Sequence, residues 1–255
     1  MDHMEWKPGE RLDDLQIKGY KIWQKTDGFC FGMDAVLLSD YARVKRDARV
    51  MDLCSGSGIV AILLEAKYPL ESVTALEYQE AYVEMARRSL QMNGQEGKIR
   101  MVQGDVREVR DRYPQDSFDY VTCNPPYMTG NHGKTNEGYE KAISRHEILC
   151  SLEDVVRASA WLLKHSGHLI LVHRPFRLAE IIGTLKKYKL EPKRMRLVYP
   201  YVDKEPNMVL IDAVKGGRQR ITVDPPLIVY QKDGTYTDEI YRIYGMEKDK
   251  DGEGL

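Results

Sequence analysis

From Phe118 to Tyr127 the chain reads Phe-Asp-Tyr-Val-Thr-Cys-Asn-Pro-Pro-Tyr, and this stretch limits the folds open to it. Phe118, Tyr120 and Val121 predict a buried strand. Pro125 and Pro126 end it, because proline fixes φ and lacks the backbone donor that a sheet ladder needs. The stiff turn that follows presents an amide, carbonyls that cannot easily move and an aromatic ring. Open α/β sheets bind their ligands at the carboxyl ends of their strands. A turn of this kind there suits the edge and face of a flat, amino-bearing group. The plain alternative is an ordinary Asn-Pro turn with Tyr127 packed behind it, so the upstream pattern has to decide.

Three apolar runs precede that strand. Val50, Met51 and Leu53 predict a buried parallel strand, and Gly56 and Gly58 open a turn into a helix over Ile59 to Lys67. Gly56-x-Gly58-x-x-Ala61 fits a dinucleotide fingerprint, whose glycines let the backbone approach a ligand at a helix N-terminus. Asp52 sets a carboxylate beside the turn, which repels a pyrophosphate and attracts an ammonium group. Ser72 to Tyr78 predicts a second strand ending at Glu77 and Tyr78. Glu77 lies 19 residues past Gly58, the spacing at which an acid grips a ribose hydroxyl pair. A helix over Ala81 to Asn93 ends at Asn93-Gly94. Ile99 to Val106 predicts a third strand, where Asp105 would accept from an adenine amino group with Val106 against the ring. Capping a helix is the other role open to Asp105. Right-handed connections bring all four loops to one sheet edge. Together they describe a cleft for an amino acid joined to a ribose and an adenine, which is S-adenosylmethionine (S-adenosylhomocysteine after transfer). Asn124 to Tyr127 then faces its methyl group.

Around this centre, Leu12 to Trp23 predicts a short hairpin or edge strands, and Ala35 to Ala42 a helix with Asp34 at its start. Met128 to Gly138 carries Gly130, Gly133 and Gly138 and predicts a flexible lid beside the site. His132 and His146 beyond the turn leave a catalytic role open, but read better as surface histidines. A helix follows over Leu152 to Leu163, then a strand over Gly167 to Arg174 and a helix over Arg177 to Tyr188. Lys193 to Tyr199 and Met208 to Val214 close the sheet as an antiparallel pair. The tail from Pro225 to Asp238 is expected to pack back, and residues 246–255 to be disordered. This amounts to one domain over residues 1–245, with an N-terminal extension 1–48, a core 49–215 and a packed tail 216–245.

Cys30, Cys54, Cys123 and Cys150 form no Cys-x-x-Cys pair, and no histidines cluster at ligand spacing, so neither a metal nor a disulfide is expected and the compartment reads as cytoplasmic. Met1 to Glu5 lacks the apolar core of a signal peptide, and no run is long enough for a membrane span. The net charge is -1, yet Lys164 to Arg220 holds 13 Lys and Arg against 5 Asp and Glu. Arg174, Arg177, Lys186, Lys187, Lys189 and Arg194 are therefore candidates for polyanion contacts, against the alternative of a solvated helix face. The oligomeric state is left open, with a monomer favoured.

Over Arg49 to Lys215 this pattern resembles the class I S-adenosylmethionine-dependent methyltransferases. Asn124-Pro125-Pro126-Tyr127 is similar to the signature of members that methylate exocyclic or side-chain amide nitrogens. Phe31-Gly-Met-Asp-Ala-Val-Leu-Leu38, Arg145-His146-Glu147 and Pro226-Leu-Ile-Val-Tyr230 with Tyr236-Thr237 look like the bacterial tRNA(Val) adenine-N6 methyltransferase family. The resemblance implies an α/β, Rossmann-like seven-stranded sheet, mostly parallel with one antiparallel edge strand and helices on both faces. It implies N6-methylation of a tRNA adenine beside the anticodon, with Asn124, Pro125, Pro126 and Tyr127 as the catalytic turn. It also implies that Phe31, Gly32 and Asp34 close over the cofactor. Cys54-Ser55 departs from the glycine or alanine of many relatives. The rivals are glutamine methylation in a release factor, guanine N2 methylation in rRNA and a non-catalytic RNA- or cofactor-binding module. The first usually needs a helical domain ahead of the core, and the second often a duplicated one.

Overall fold

Strand β3 (Arg49–Leu53) lies in the middle of a sheet that is covered on both faces. The computed structural model describes residues 6–26, 32–125 and 150–246. Side chains along β3 alternate between two cores, as a period of two requires. Val50 belongs to one cluster, Met51 and Leu53 to the other. β3 pairs in parallel with β4 (Ser72–Glu77) on one side and β6 (Phe118–Cys123) on the other. β5 (Ile99–Gln103) extends the sheet beyond β4, and β7 (Leu163–His173) extends it beyond β6. The chain thus winds outward from β3 to β5, then returns to the far side of β3 for β6. The gap between β3 and β6 is the topological switch point, where an open α/β sheet leaves a crevice at its carboxyl edge.

Beyond β7 the order is β9 (Met208–Lys215), then β8 (Leu190–Tyr199), with β9 antiparallel to both neighbours. The antiparallel strand is therefore inside the sheet rather than at its edge as expected. Two short strands, β10 (Thr222–Val223) and β11 (Leu227–Ile228), pair in parallel along β8 and raise the count to nine. They cover an edge that would otherwise offer unpaired backbone groups.

Helices α1 (Met33–Tyr41), α2 (Ile59–Lys67) and α3 (Glu80–Asn93) cover one face. The other face carries a 3-10 turn (Val106–Glu108), α4 (Val109–Arg112), α5 (Leu152–Leu162) and α6 (Leu178–Lys187). α2 is buried nearly all round, and Ile62 and Leu64 are fully enclosed. Truncating such a side chain to alanine costs about 2–5 kcal/mol. α5 begins at a capping box, with Ser151 and Asp154 each bonding the other's backbone N–H. α3 ends at Gly94, which turns left-handed at φ +67°.

The expected N-terminal hairpin exists as β1 (Glu10–Asp14) and β2 (Lys21–Lys25). It docks on α3 through Trp23 N–H to Ser89 Oγ at 3.0 Å, paired bonds between Lys21 and Asn93, and an Arg88–Glu10 ion pair. The tail does pack back: Leu227 and Val229 are buried, and Tyr230 bridges to Tyr236. It also forms α7 (Asp238–Tyr244), a helix of two turns whose Ile240 and Ile243 join the core. Those two residues are too few for a periodic pattern to be recognised. The third strand stops at Gln103 rather than Val106, because Asp105 caps the following turn by accepting from Arg107 N–H. The lid expected over Met128 to Gly138, His132, His146 and the tail from 247 lie outside the described residues. Among the described residues no helix is long and apolar enough to cross a membrane.

Candidate active site at the carboxyl edge of the sheet

The turn after β3 is built from three left-handed residues, Cys54 (φ +56°), Gly56 (φ +55°) and Gly58 (φ +82°). Two backbone bonds hold it: Gly58 N–H donates to the Ser55 carbonyl within the turn at 2.9 Å, and Ser55 N–H to the Leu76 carbonyl of β4 at 3.1 Å. The two glycines do different work. A Cβ on Gly58 would meet Ala86 of α3 at 3.4 Å, an ordinary contact, so what calls for glycine there is the left-handed turn into α2. A Cβ on Gly56 would meet nothing within 4 Å, so this glycine leaves bare backbone facing open space at the start of α2. Glu77, at the tip of β4, is held against the turn. One of its oxygens accepts from Gly56 N–H and the other from Gln79 N–H, both at 2.9 Å. Each oxygen keeps a second lone pair for a hydroxyl.

Asp52 is buried in β3 at 1 % exposure, directly opposite Thr122 of β6. Thr122 Oγ1 donates to Asp52 Oδ1 at 2.7 Å. Oδ2 is also buried and has no hydrogen-bond partner among the described residues. Burial raises the carboxyl group to about 7, against the pull of the Thr122 bond, and the Glu77 charge adds to the rise. A buried carboxylate with an orphan oxygen is costly unless a donor reaches it. The ammonium group of an amino acid is such a donor. These residues therefore fit S-adenosylmethionine: Asp52 for the amino group, bare Gly56 backbone for close approach and Glu77 for the ribose hydroxyls.

Asn124 leaves β6 beside this cradle, because Leu53 and Cys123 are register partners in neighbouring strands. Asn124 is half-buried and Pro125 buried. Pro126, Tyr127 and Phe31 lie outside the described residues. Gly32 and Asp34 sit at the start of α1, which packs on α2, β7 and β9. Tyr78 is 51 % exposed beside Glu77.

The other expected cofactor contacts are placed differently. Asp105 is tied to Arg107, whose guanidinium and backbone N–H both donate to it. The Arg107 bond, working against desolvation, holds its carboxyl group below the usual range. This is the capping role left open by the sequence. Val106 points into the core with Leu53, Leu76 and Val109, not into the open crevice.

The basic candidates do not form one patch. Arg174 and Arg177 lie at this edge, just beyond β7. Lys186, Lys187 and Lys189 lie at the far end of α6, before β8 begins, and Lys187 pairs with Glu153 at 2.6 Å. Arg194 is not a phosphate ligand: its guanidinium stacks 3.8 Å over the Tyr41 ring, donates to the Tyr41 carbonyl and sits 3.6 Å from Asp224. Its charge is used inside the fold.

Two features were missed in the sequence. Thr122, which orients Asp52, was visible only as a polar residue in an apolar strand. Cys54, Cys123 and Cys150 meet behind the β3 turn, with Cys54 Sγ 3.8 Å from Cys150 Sγ. The Cys123 thiol and burial push Cys54 well above its ordinary value. The Cys54 thiol and burial do the same to Cys150. The cluster is thus protonated, with no activated nucleophile.

Comparison with known proteins accords with this geometry. The methyltransferase small domain family matches residues 33–188. Over 213 residues the chain is 25% identical to the tRNA1(Val) (adenine(37)-N6)-methyltransferase of Aeromonas hydrophila, with 83% of this chain and 87% of that one covered. Its namesake in Porphyromonas gingivalis is 23% identical over 239 residues, covering 91% and 93%. Among solved structures, a protein described as a predicted O-methyltransferase from Agrobacterium tumefaciens superposes with a TM-score of 0.69 at 26% identity, covering 84% of this chain and 96% of the other. The family match takes in the glycine turn, Glu77 and the Asn124 strand end, and it spans more than half of the sequence, so the chain belongs to the methyltransferase small domain family.

Proposed function

We propose that this methyltransferase, using S-adenosylmethionine as donor, methylates the exocyclic N6 of an adenine in tRNA, beside the anticodon of a valine tRNA. The observation that carries the reading is the strand end Asn124-Pro125 set beside the Asp52–Gly56–Glu77 cradle at the switch point of the sheet. The names borne by its tRNA-modifying relatives support the substrate.

An exocyclic amine is a poor nucleophile because its lone pair is delocalised into the ring. The Asn124 side-chain oxygen and the Pro125 carbonyl accept its two N–H groups and hold the nitrogen nearer to sp³. Tyr127 stacks on the base. When bound, the cofactor supplies a methyl group on a sulfonium centre. Asp52 anchors its ammonium end, Gly56 and Gly58 admit it to the turn, and Glu77 holds the ribose. Alignment of this kind is worth roughly 7–11 kcal/mol. No strong base is required, since the proton leaves after attack. An anticodon-loop base is already half exposed, which lowers the cost of unstacking it. Arg174, at the same edge, meets the RNA backbone, whereas Arg177 is paired with Glu180.

The test is methyl transfer from labelled S-adenosylmethionine into tRNA that lacks the modification, with nucleoside analysis of the product. Wild-type protein is expected to yield N6-methyladenosine. Asn124→Ala should lower turnover by about 10³-fold or more while cofactor affinity survives. Undiminished turnover in that variant would remove the role given to Asn124. Label in a release factor or rRNA instead of tRNA would leave the cofactor assignment and discard the substrate.

A further inference from the structure

Phe176 is the most exposed large apolar side chain among the described residues, at 72%. It sits in the 3-10 turn Pro175–Arg177 that leaves β7 at the carboxyl edge. That turn is held at both ends. Arg177 N–H donates to the Arg174 carbonyl at 3.2 Å, and the Arg177 guanidinium forks onto Glu180 at 2.7 and 2.8 Å. Arg174 Nη1 donates to the Asn207 carbonyl at 2.9 Å and ties the turn to the connection between β8 and β9. Val202 of that connection is 67% exposed. A row of rings continues from there: Tyr201 to Tyr230 at 5.4 Å, then Tyr230 to Tyr236, stacked at 5.3 Å. An apolar ring raised into water on a turn braced by these bonds adds nothing to the core. It is placed to meet another flat face.

Its position narrows what that is. β7 is the neighbour of β6, with Leu171 opposite Cys123. The ring base of Phe176 is therefore within about 10–15 Å of Asn124, by strand spacing and chain length. Drawing one base out of an RNA loop into the site strips a stacking partner from the bases on either side of it. An aromatic face can replace that partner whatever the base, and the positive charge of Arg174 beside it favours the adjoining phosphates.

We propose that Phe176, beside Arg174, is a stacking platform for an unpaired nucleotide next to the adenine that is methylated. The inference rests on the tRNA reading above and goes beyond it by assigning a second contact on the RNA, outside the methyl-transfer turn. Phe176 is a positioning residue, so its loss acts on RNA capture rather than on the chemical step.

The experiment uses the full chain as wild type, Phe176→Ala and Phe176→Trp. Steady-state methyl transfer to unmodified tRNA is measured together with the fluorescence of 2-aminopurine placed on each side of the target adenine in an anticodon stem-loop. Phe176→Ala should raise KM for RNA by about 10-fold with kcat changed less than about twofold, and Phe176→Trp should restore KM. Fluorescence quenching at one flanking position should be present in wild type and Phe176→Trp and absent in Phe176→Ala. Wild-type KM and quenching in Phe176→Ala would overturn the platform while leaving the tRNA reading intact. A wild type that methylates no tRNA overturns both. A concentration-dependent dimer lost in Phe176→Ala, with KM unchanged, would make the ring a contact between copies and also overturn the proposal.

Discussion

Asp52 and Asp119 occupy neighbouring strands of one sheet, the first near the carboxyl end of β3 and the second near the amino end of β6. Asp119 is surrounded by donors. Burial alone would raise its carboxyl group, but Lys164 Nζ at 2.7 Å and Arg49 N–H at 2.9 Å hold it below its ordinary value. Nearby, Lys215 Nζ bonds Asp116 and the carbonyls of Ala160 and Leu163. An open cleft of about 300 Å³ at that edge is lined by Lys45, Arg46 and Lys164 together with Asp47, Glu71 and Asp119, so cations and acids offset one another. Asp52 has a single threonine donor and an oxygen left over. The amino edge spends its charges on itself and serves stability. The carboxyl edge keeps a strained turn and an unsatisfied acid, a combination that costs stability and suits binding.

The comparison breaks most readily at Asp52. Asp52→Asn keeps the shape and removes the charge, so affinity for S-adenosylmethionine should fall about 100-fold by calorimetry, in the range found for truncated buried charge pairs. The same variant should be more stable without ligand. The folded value of about 7 lies above the ordinary carboxyl value of 3.8, so the native state holds a proton that the unfolded chain has released. Stability from that proton is complete below pH 4 and is lost as pH rises through 7. Asp52→Asn escapes the loss and should gain roughly 1–3 kcal/mol at pH 8 in urea unfolding, with little gain at pH 4. An unchanged affinity would mean that the orphan oxygen does not meet the ligand.

A smaller effect sharpens the same contrast. Asp52 must be ionised to hold an ammonium group, so wild-type cofactor affinity should fall about tenfold between pH 8 and pH 6. The fall should be absent in Asp52→Asn; a profile shared by both proteins would assign it to another group. The smallest effect is expected at the opposite edge. Lys164 is 43% exposed on its side chain. Lys164→Met should therefore cost only about 0.5–1 kcal/mol of stability, after solvent screening, and leave cofactor affinity unaltered. A loss of affinity there would show that the two edges are coupled.

Much of the site was legible because its signals are short-range. Gly56 and Gly58 mark a turn that needs positive φ, Glu77 follows at a set distance, and Pro125 must end its strand. The same logic left Asp105 open, because strand end and helix cap use the same residue type, and only the structure shows the Arg107 bonds that make it a cap. It failed across the basic segment. Thirteen cations in one stretch of sequence suggest a surface, yet Arg194 reaches the Tyr41 carbonyl 153 positions away, and Lys187 reaches Glu153. Linear charge density says nothing about which partner a long side chain finds.

The sequence by itself determined the alternation of strands and helices, the glycine turn, the acid at the tip of the second strand and the amide at the end of the fourth. These follow from backbone dihedrals, side-chain period and chain spacing, which neighbouring residues set. Tertiary structure alone decided that β9 is inserted between β7 and β8, that Thr122 satisfies one oxygen of Asp52 and leaves the other, and that Phe176 is raised at the working edge. Those outcomes depend on pairings between distant segments, where a hydrogen bond or an exposed face exists only once the strands have found their order.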